Sequence, residues 1–337
     1  MALYLVTGAS GAFGAHAAKM LLALGHRVVS FEHDSHPFDT ASLLGIKEHI
    51  TWVRGSLLDE TLCKRVVADY SPDSIWNFAA LPIVQAATRT TVPIFDTNVM
   101  GTVHLLEAVK ENNWAGKKIR FIQVSTDKVY GDAGEVPYTE DMPLNGLSVY
   151  DASKACADII ARTYAHVGYA PALATVRPCN TISPGDMNLG RVLTRILVPC
   201  MRGESPTLYR TPYKREYMWV EDSVGWMYLL DRALAEGRAH GEAYNIGSGE
   251  QRTLEGAVEE VLEHFPGITP KWIEPPPISR LEIPYQKLDT TKFKSLVGLG
   301  SPPRAFSGSV KGLVAWWRAN WDRLPASVKT LKIEGWH

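Results

Sequence analysis

Two short segments place reactive side chains at spacings that suit proton transfer. The segment "VSTDKVYG" puts a hydroxyl, a carboxylate and an amine at Thr126, Asp127 and Lys128. The segment "YDASK" places Tyr150 and Lys154 four residues apart, so both lie on one face of a helix. A phenol, whose ordinary pKa is about 10, becomes a usable base near neutral pH when positive charge stabilises its phenolate. The pattern therefore predicts a site that moves protons.

A framework of strands and helices must hold these segments together. Apolar, β-branched runs predict the strands "LYLVTG", "RVVSFE", "ITWVRG", "SIWNFAA" and "IRFIQVST". Helical patterns fall between them, notably over Asp96–Asn112 and Val149–Val167. Apolar strands that alternate with helices predict an α/β fold, a Rossmann-type doubly wound parallel sheet covered on both faces.

A glycine-rich turn follows the first predicted strand. In "TGASGAFG", Gly8, Gly11 and Gly14 stand between that strand and the first helix. Glycines let the backbone approach a pyrophosphate, and the helix N-terminus offers free N–H groups and a positive dipole end. Glu32, at the end of the second strand, would accept hydrogen bonds from the adenosine ribose and repel a 2′-phosphate. These features predict a site that prefers NAD to NADP; a solvated strand-end charge is the alternative role of Glu32.

The alternation of strands and helices changes after Arg177. Residues 1–177 are predicted to form the NAD-binding domain. Residues 178–337 are rich in Pro and Gly and predict a smaller, irregular domain that mainly binds substrate. The runs "ALATVRP" and "EAYNIGSG" look like further strands, so a segment near 220–247 is expected to return to the main sheet. The domain boundary is therefore expected to be interleaved.

The composition narrows the classes of partner. The 337 residues carry 35 Lys and Arg against 36 Asp and Glu, a net charge of -1, so no global field favours nucleic acid or an anionic membrane. The cysteines, Cys63, Cys156, Cys179 and Cys200, lack the spacing of a metal site or a redox pair. The sequence has neither a signal-peptide pattern nor a membrane-length apolar run. We expect a soluble cytoplasmic protein without a metal, whose partner is a small molecule.

Motifs along nearly the whole chain resemble one family. The motifs "TGASGAFG", "TNVMGTVHLLEAV", "VSTDKVYG", "YDASK", "RPCNTISPGD", "REYMWVED" and "YNIGSG" occur in the order found in the extended short-chain dehydrogenase/reductases that act on nucleotide sugars. Within that superfamily, Thr126, Asp127 and Lys128 are most similar to the nucleotide-sugar 4,6-dehydratases, especially the CDP-glucose type. The resemblance implies NAD as the cofactor, a nucleotide-diphosphate sugar as the substrate and a homodimer.

The resemblance also implies a role for each reactive residue. Tyr150 removes the 4-hydroxyl proton while hydride passes to NAD⁺, and Thr126 steadies the same oxygen. The resulting 4-ketone acidifies the proton on carbon 5. Asp127 is the acid for the departing 6-hydroxyl, and Lys128 occupies the position of the base near carbon 5. Lys154 is expected to hydrogen-bond the nicotinamide ribose.

The remaining site residues follow from the same resemblance. Further cofactor contacts are expected at Ser10, Ala12, Phe13, Ser56, Leu57, Ala79, Ala80 and Asn98. Substrate contacts are expected at Leu81, Thr126, Asn180, Arg191 and Arg215. Asn180 and Arg215 match the residues that contact the diphosphate, and an arginine fork suits phosphate oxygens. A turn-capping Asn180 and a solvated Arg215 are the alternatives.

The chain departs from the family pattern at several positions. Ser56 stands where an Asp usually follows the third strand, Asn77 where a His is usual, and Cys179 where Gly is common. Two other functions therefore stay open. One is a nucleotide-sugar epimerase that uses the same 4-ketone, with Lys128 only structural. The other is a sensor that binds NAD(H) without turnover, against which the intact Tyr150 argues.

Overall fold

The computed structural model describes residues 1–34, 39–81, 91–188, 190–275, 282–299 and 301–330. The strands are β1 (Leu3–Thr7), β2 (Arg27–Glu32), β3 (Thr51–Arg54), β4 (Ser74–Asn77), β5 (Arg120–Val124), β6 (Leu173–Pro178), β7 (Asn180–Ile182), β8 (Thr207–Tyr209), β9 (Lys214–Trp219), β10 (Ala243–Ile246), β11 (Gln251–Thr253) and β12 (Lys271–Ile273). The α-helices are α1 (Ala12–Ala23), α2 (Thr40–Leu43), α3 (Glu60–Tyr70), α4 (Val92–Phe95), α5 (Gly101–Trp114), α6 (Val149–His166), α7 (Val192–Met201), α8 (Val220–Ala235), α9 (Leu254–Leu262), α10 (Thr291–Val297), α11 (Phe306–Asn320) and α12 (Ala326–Thr330). Parts of the predicted C-terminal domain, at 189, 276–281, 300 and 331–337, lie outside the described residues. None of the described helices combines the length and the apolar character that a membrane span requires.

A seven-stranded sheet contains β1 to β6 and β10. Its order is β10-β6-β5-β4-β1-β2-β3, and all of its pairings are parallel. Leu5 and Ile75 in its centre are fully buried, as expected of strands covered on both faces. The predicted Rossmann-type doubly wound sheet is confirmed. The chain order reverses between β1 and β4, and in such sheets the carboxyl ends of the strands open a ligand crevice at that point.

Helices cover both faces of this sheet because each presents an apolar stripe to it. On one face, Leu21 of α1 and Met227 of α8 join a cluster with the strands. On the other face, Val67 of α3 and Leu105 of α5 do the same. The helix predicted to begin at Asp96 starts differently, because Asp96–Met100 form a π-helical turn that leads into α5. Such turns are frequent at functional sites.

The C-terminal part has its own apolar cluster, which includes Ile196, Val258 and Trp317. Helices α7, α9 and α11 contribute to it, beside a three-stranded sheet of order β11-β9-β7 and a two-stranded sheet of β12 and β8. The side chains of His16 on α1 and Thr40 on α2 form hydrogen bonds with carbonyl groups in the loop after β7. These bonds connect the C-terminal part to the two helices. Strand β10 joins the main sheet beside β6, so the chain crosses between the two parts more than once.

A buried ion pair fixes α6 against the sheet. The Arg177 guanidinium on β6 donates from Nε and Nη2 to the two carboxylate oxygens of Asp158 on α6, at 2.9 and 3.0 Å. Its Nη1 donates to the Tyr130 hydroxyl at 2.9 Å. Asp158 and Arg177 are both buried, so water cannot replace either partner without unfolding. The pair therefore sets the position of the helix that carries Tyr150 and Lys154.

We expect Asp158→Ala to lower the free energy of unfolding by about 3–5 kcal/mol, because it leaves a buried guanidinium without its carboxylate. Urea denaturation followed by circular dichroism measures the loss. Glu242→Ala, which removes the half-exposed partner of Lys292, is the matched control and should change little. Equal losses in the two variants would show that Asp158 and Arg177 do not have this structural role.

Candidate active site

The glycine-rich turn after β1 forms a cradle for an anionic group. Gly8 has a φ of 74°, which favours glycine, and its carbonyl accepts a hydrogen bond from the Gly11 N–H at 3.1 Å. A Cβ on Gly14 would lie 2.2 Å from the Gly8 oxygen, so this close approach requires glycine. Helix α1 begins with Ala12 and Phe13 directly after the turn, which leaves the N–H groups of its first turn available to a pyrophosphate. The residues present therefore fit NAD.

Glu32 holds the same turn from the end of β2. Its Oε1 accepts hydrogen bonds from the Ser10 N–H at 3.0 Å and the Ser30 hydroxyl at 2.7 Å. Its Oε2 accepts from the Ser10 hydroxyl at 2.8 Å. Burial raises the pKa of Glu32, and these donors oppose the rise. Glu32 is thus a buried group that shapes the turn, while its contact with the ribose stays a prediction.

Other predicted cofactor residues lie in the loops after β3 and β4. Ser56 and Leu57 follow β3, and Ala79 and Ala80 follow β4. Because carboxyl ends of parallel strands meet at one edge, these loops lie at the same edge of the sheet as the glycine-rich turn. The backbone nitrogen of Ala79 lies 3.2 Å from the position that a Cβ on Gly8 would take, so the two segments approach closely.

Asn98, in the π-helical turn, links the loop after β4 to α6. Its Oδ1 accepts a hydrogen bond from the Leu81 N–H at 2.8 Å, and its amide donates to the Ser153 hydroxyl at 2.9 Å. The Ser153 hydroxyl donates in turn to the Tyr150 carbonyl at 2.7 Å. The structure therefore joins Leu81 and Asn98 to the first turn of α6, which carries Tyr150, and a contact of Asn98 with the cofactor stays a prediction.

The triplet after β5 buries a carboxyl group. Thr126 begins the short 3₁₀ helix Asp127–Tyr130, and its Oγ1 donates to Asp127 Oδ1 at 3.1 Å. Asp127 is 2% exposed, and its Oδ2 has no hydrogen-bond partner among the described residues. Burial raises the pKa of Asp127 to about 6, although the Lys128 ammonium and the Thr126 hydroxyl both act to lower it. A carboxyl group with this pKa exchanges protons near neutral pH, as an acid catalyst must.

Tyr150 and Lys154 share a face of α6, but their electrostatics differ from the sequence prediction. The Lys154 ammonium donates to the Val124 carbonyl, and burial lowers its pKa to about 8. Burial raises the pKa of Tyr150 to about 12, and the opposing charge is the guanidinium of Arg191, which pairs with Asp186 at 2.9 Å. The chain by itself does not lower the pKa of Tyr150. A phenolate near neutral pH needs further positive charge, such as an oxidised nicotinamide supplies.

The predicted diphosphate contacts lie on neighbouring strands of the small sheet. Asn180 is on β7 and Arg215 on β9, which pair in parallel. The Asn180 amide donates to the Glu216 carbonyl at 3.2 Å, so the side chain lies across the pair and caps no turn. The Arg215 guanidinium lies 3.5 Å from the Glu282 carboxylate and donates to the Pro284 carbonyl at 3.1 Å. Arg215 is therefore a largely buried, paired group and not a solvated charge.

Comparison with known proteins decides the family. The family model described as GDP-mannose 4,6 dehydratase matches residues 5–274. The chain belongs to this family. As predicted, it is an NAD-dependent enzyme of the extended short-chain dehydrogenase/reductases, among the nucleotide-sugar dehydratases and epimerases.

Relatives and solved structures agree with this family. The low-salt glycan biosynthesis protein Agl12 of Haloferax volcanii is 34% identical over 78% of this chain and 82% of its own length. The CDP-glucose 4,6-dehydratase of Salmonella typhimurium is 28% identical over 94% of this chain and 90% of its own. The dTDP-glucose 4,6-dehydratase of Bacillus anthracis, in complex with NAD, matches with a TM-score of 0.82 at 26% identity, covering 96% of this chain and 98% of that chain.

Two buried acidic residues next to predicted site residues were missed by the sequence prediction. Asp151 is the second residue of "YDASK", and Glu216 follows Arg215 on β9; both are buried. Glu216 accepts hydrogen bonds from the N–H groups of Gly249 and Leu288 at 2.8 and 2.7 Å, and burial raises its pKa to about 7. The sequence signal was an acidic residue next to a motif residue. Its burial depends on packing between distant segments.

Glu32→Ala should weaken NAD binding roughly tenfold or more and reduce the preference for NAD over NADP. The change removes the acceptor of the Ser10 bonds and the charge that repels a 2′-phosphate. Titration of the protein with each cofactor gives both constants. Ser10→Ala is the control, since it loses only the hydroxyl bond and should keep the preference. An unchanged preference in Glu32→Ala would exclude the ribose role.

Asp127→Asn should change the pH dependence of stability. The pKa of Asp127 is raised to about 6, so the folded parent holds a proton that the unfolded chain has released between about pH 4 and 6. The parent therefore loses stability as pH rises through this window, and the Asn variant does not have this loss. Between pH 4 and 8 the variant should gain roughly 2–3 kcal/mol relative to the parent. Urea denaturation at both pH values tests this, and a constant difference would contradict the burial cost.

Proposed function

We propose that this enzyme is an NAD-dependent nucleotide-sugar 4,6-dehydratase. The observation that carries the proposal is the buried Asp127 carboxyl group, with one unpartnered oxygen and a pKa raised to about 6. Loss of a hydroxyl group requires an acid, whereas epimerisation through a 4-ketone does not. The CDP-glucose and dTDP-glucose 4,6-dehydratases among the similar proteins support the same reaction.

Each reactive residue then has one step. Bound NAD supplies the hydride acceptor for carbon 4. Tyr150 takes the proton of the 4-hydroxyl, and the Thr126 hydroxyl donates a hydrogen bond to the same oxygen as it becomes a ketone. Asp127 protonates the 6-hydroxyl as it leaves, and the family resemblance gives Lys128 the proton on carbon 5. Lys154 binds the nicotinamide ribose from its buried position on α6.

The proposed substrate is a nucleotide-diphosphate sugar, held mainly by residues 178–337. The Arg215 guanidinium and the Asn180 amide would bind the diphosphate, for which the arginine fork is suited. Glu282 now lies 3.5 Å from that guanidinium, and a diphosphate would take its place. Arg191, whose charge acts on Tyr150, would contact the sugar side together with Leu81. The homodimer and the cytoplasmic location stay predictions.

A panel of nucleotide sugars tests the reaction. The purified protein with NAD is incubated with the CDP, dTDP, GDP and UDP derivatives of glucose and with GDP-mannose, and the products are weighed by mass spectrometry. A dehydratase gives a product lighter by one water. A product of unchanged mass but altered configuration would establish the epimerase instead, and no product with any substrate would favour the sensor.

Asp127→Asn and Tyr150→Phe should stall the reaction at different steps. The Asn variant should still oxidise carbon 4 but lose water slowly, so NADH absorbance persists after rapid mixing with substrate. The Phe variant should form little NADH, since loss of a general base costs about 10²–10⁴-fold in rate. Water loss at the parent's rate in Asp127→Asn would exclude Asp127 as the acid.

A further inference from the structure

Asp151 is a second buried carboxylate beside the catalytic triplet. It stands in the first turn of α6, where its Oδ2 accepts the Ser148 N–H at 3.1 Å and its own N–H donates to the Ser148 hydroxyl at 3.1 Å. This capping box holds the side chain in one orientation. Asp151 is 2% exposed, and its Oδ1 has no hydrogen-bond partner within the described part of the chain. In both respects it matches Asp127.

The electrostatic neighbours of Asp151 place it among the reactive groups. Burial raises the pKa of Asp151, and the Lys128 ammonium opposes this rise. The charge of Asp151 in turn raises the pKa of Tyr150 and that of Asp127. Asp151 follows Tyr150 directly in the first turn of α6, and α6 packs against the short helix Asp127–Tyr130. Asp151 therefore acts on both the residue assigned to carbon 4 and the residue assigned to carbon 6.

The chemistry of dehydration needs a base at this place. Carbon 5 lies between carbons 4 and 6, so the group that removes its proton must lie near both Tyr150 and Asp127. An amine can accept a proton only when it is neutral, and an ordinary lysine side chain, whose pKa is about 10.4, is an ammonium ion near neutral pH. A carboxylate with an unpartnered oxygen needs no such change before it accepts a proton.

We propose that Asp151, and not Lys128, removes the proton from carbon 5; this inference rests on the proposed dehydratase function. The C5–H bond breaks and its proton goes to Asp151 Oδ1. The electron pair forms the double bond between carbons 5 and 6 while the C6–O bond breaks. The leaving hydroxyl takes the proton of Asp127 and departs as water. The Lys128 ammonium stabilises the negative charge that develops on the 4-ketone oxygen.

Asp151→Asn is the decisive variant, because an amide oxygen can still accept the Ser148 N–H while the amide nitrogen replaces the basic oxygen. Ser148→Ala is the matched control, since it weakens the same capping box and leaves both carboxylate oxygens in place. Each variant and the parent are mixed with NAD and the nucleotide sugar that the parent turns over. NADH absorbance reports oxidation of carbon 4, and mass spectrometry reports loss of water.

We expect Asp151→Asn to form NADH within a few-fold of the parent rate and to lose water at least 100-fold more slowly, with Ser148→Ala close to the parent. Water loss at the parent rate in Asp151→Asn would overturn the assignment, and so would an equal stall in Ser148→Ala. Lys128→Gln adds a direct comparison, because a complete stall there with turnover in Asp151→Asn would return the role to Lys128. If the parent itself loses no water, the dehydratase proposal fails first and the role of Asp151 fails with it.

Discussion

The position of α6 relative to the parallel sheet is the constraint on which the site depends. This helix carries Tyr150, Asp151 and Lys154, and the buried pair of Asp158 and Arg177 joins its middle to β6. The Arg177 guanidinium also reaches the Tyr130 hydroxyl, at the end of the short helix that contains Asp127. One side chain therefore connects the two segments that carry the candidate catalytic residues. A shift of α6 would move the phenol and the carboxyl groups relative to each other.

Around this framework the enzyme buries more charge than stability alone would favour. Four ionisable side chains are largely buried: Asp127, Asp151, Lys154 and Glu216. Burial raises the pKa of the three carboxyl groups and lowers that of the lysine, so it favours the neutral form of each. Such groups cost folding free energy because their hydration is only partly replaced. Burial also brings the pKa values of Asp127, Glu216 and Lys154 near neutrality, which proton transfer requires. The same burial that weakens the fold therefore prepares the site for catalysis.

In the cofactor crevice, the backbone must come close to an anion. Gly14 meets the Gly8 carbonyl where a Cβ would clash, and Glu32 fixes Ser10 between them. A single carboxylate thus shapes the turn, and its effect on which ribose the turn accepts stays a prediction. Asn98 fixes the other side of the crevice, because its side chain connects the loop after β4 to the helix that carries Tyr150.

The sequence by itself determined the parallel sheet, because apolar strands that alternate with helices must be covered by those helices on both faces. It also located the glycine turn, Asp127 and the Tyr150–Lys154 pair, whose chemistry depends on local spacing. The tertiary structure alone decided which ionisable groups share an environment. The cation that acts on Tyr150 is the guanidinium of Arg191, and Asp151 joins Asp127 and Lys128. Burial and electrostatic contact arise from segments distant in the chain, so neither spacing nor residue type could predict them.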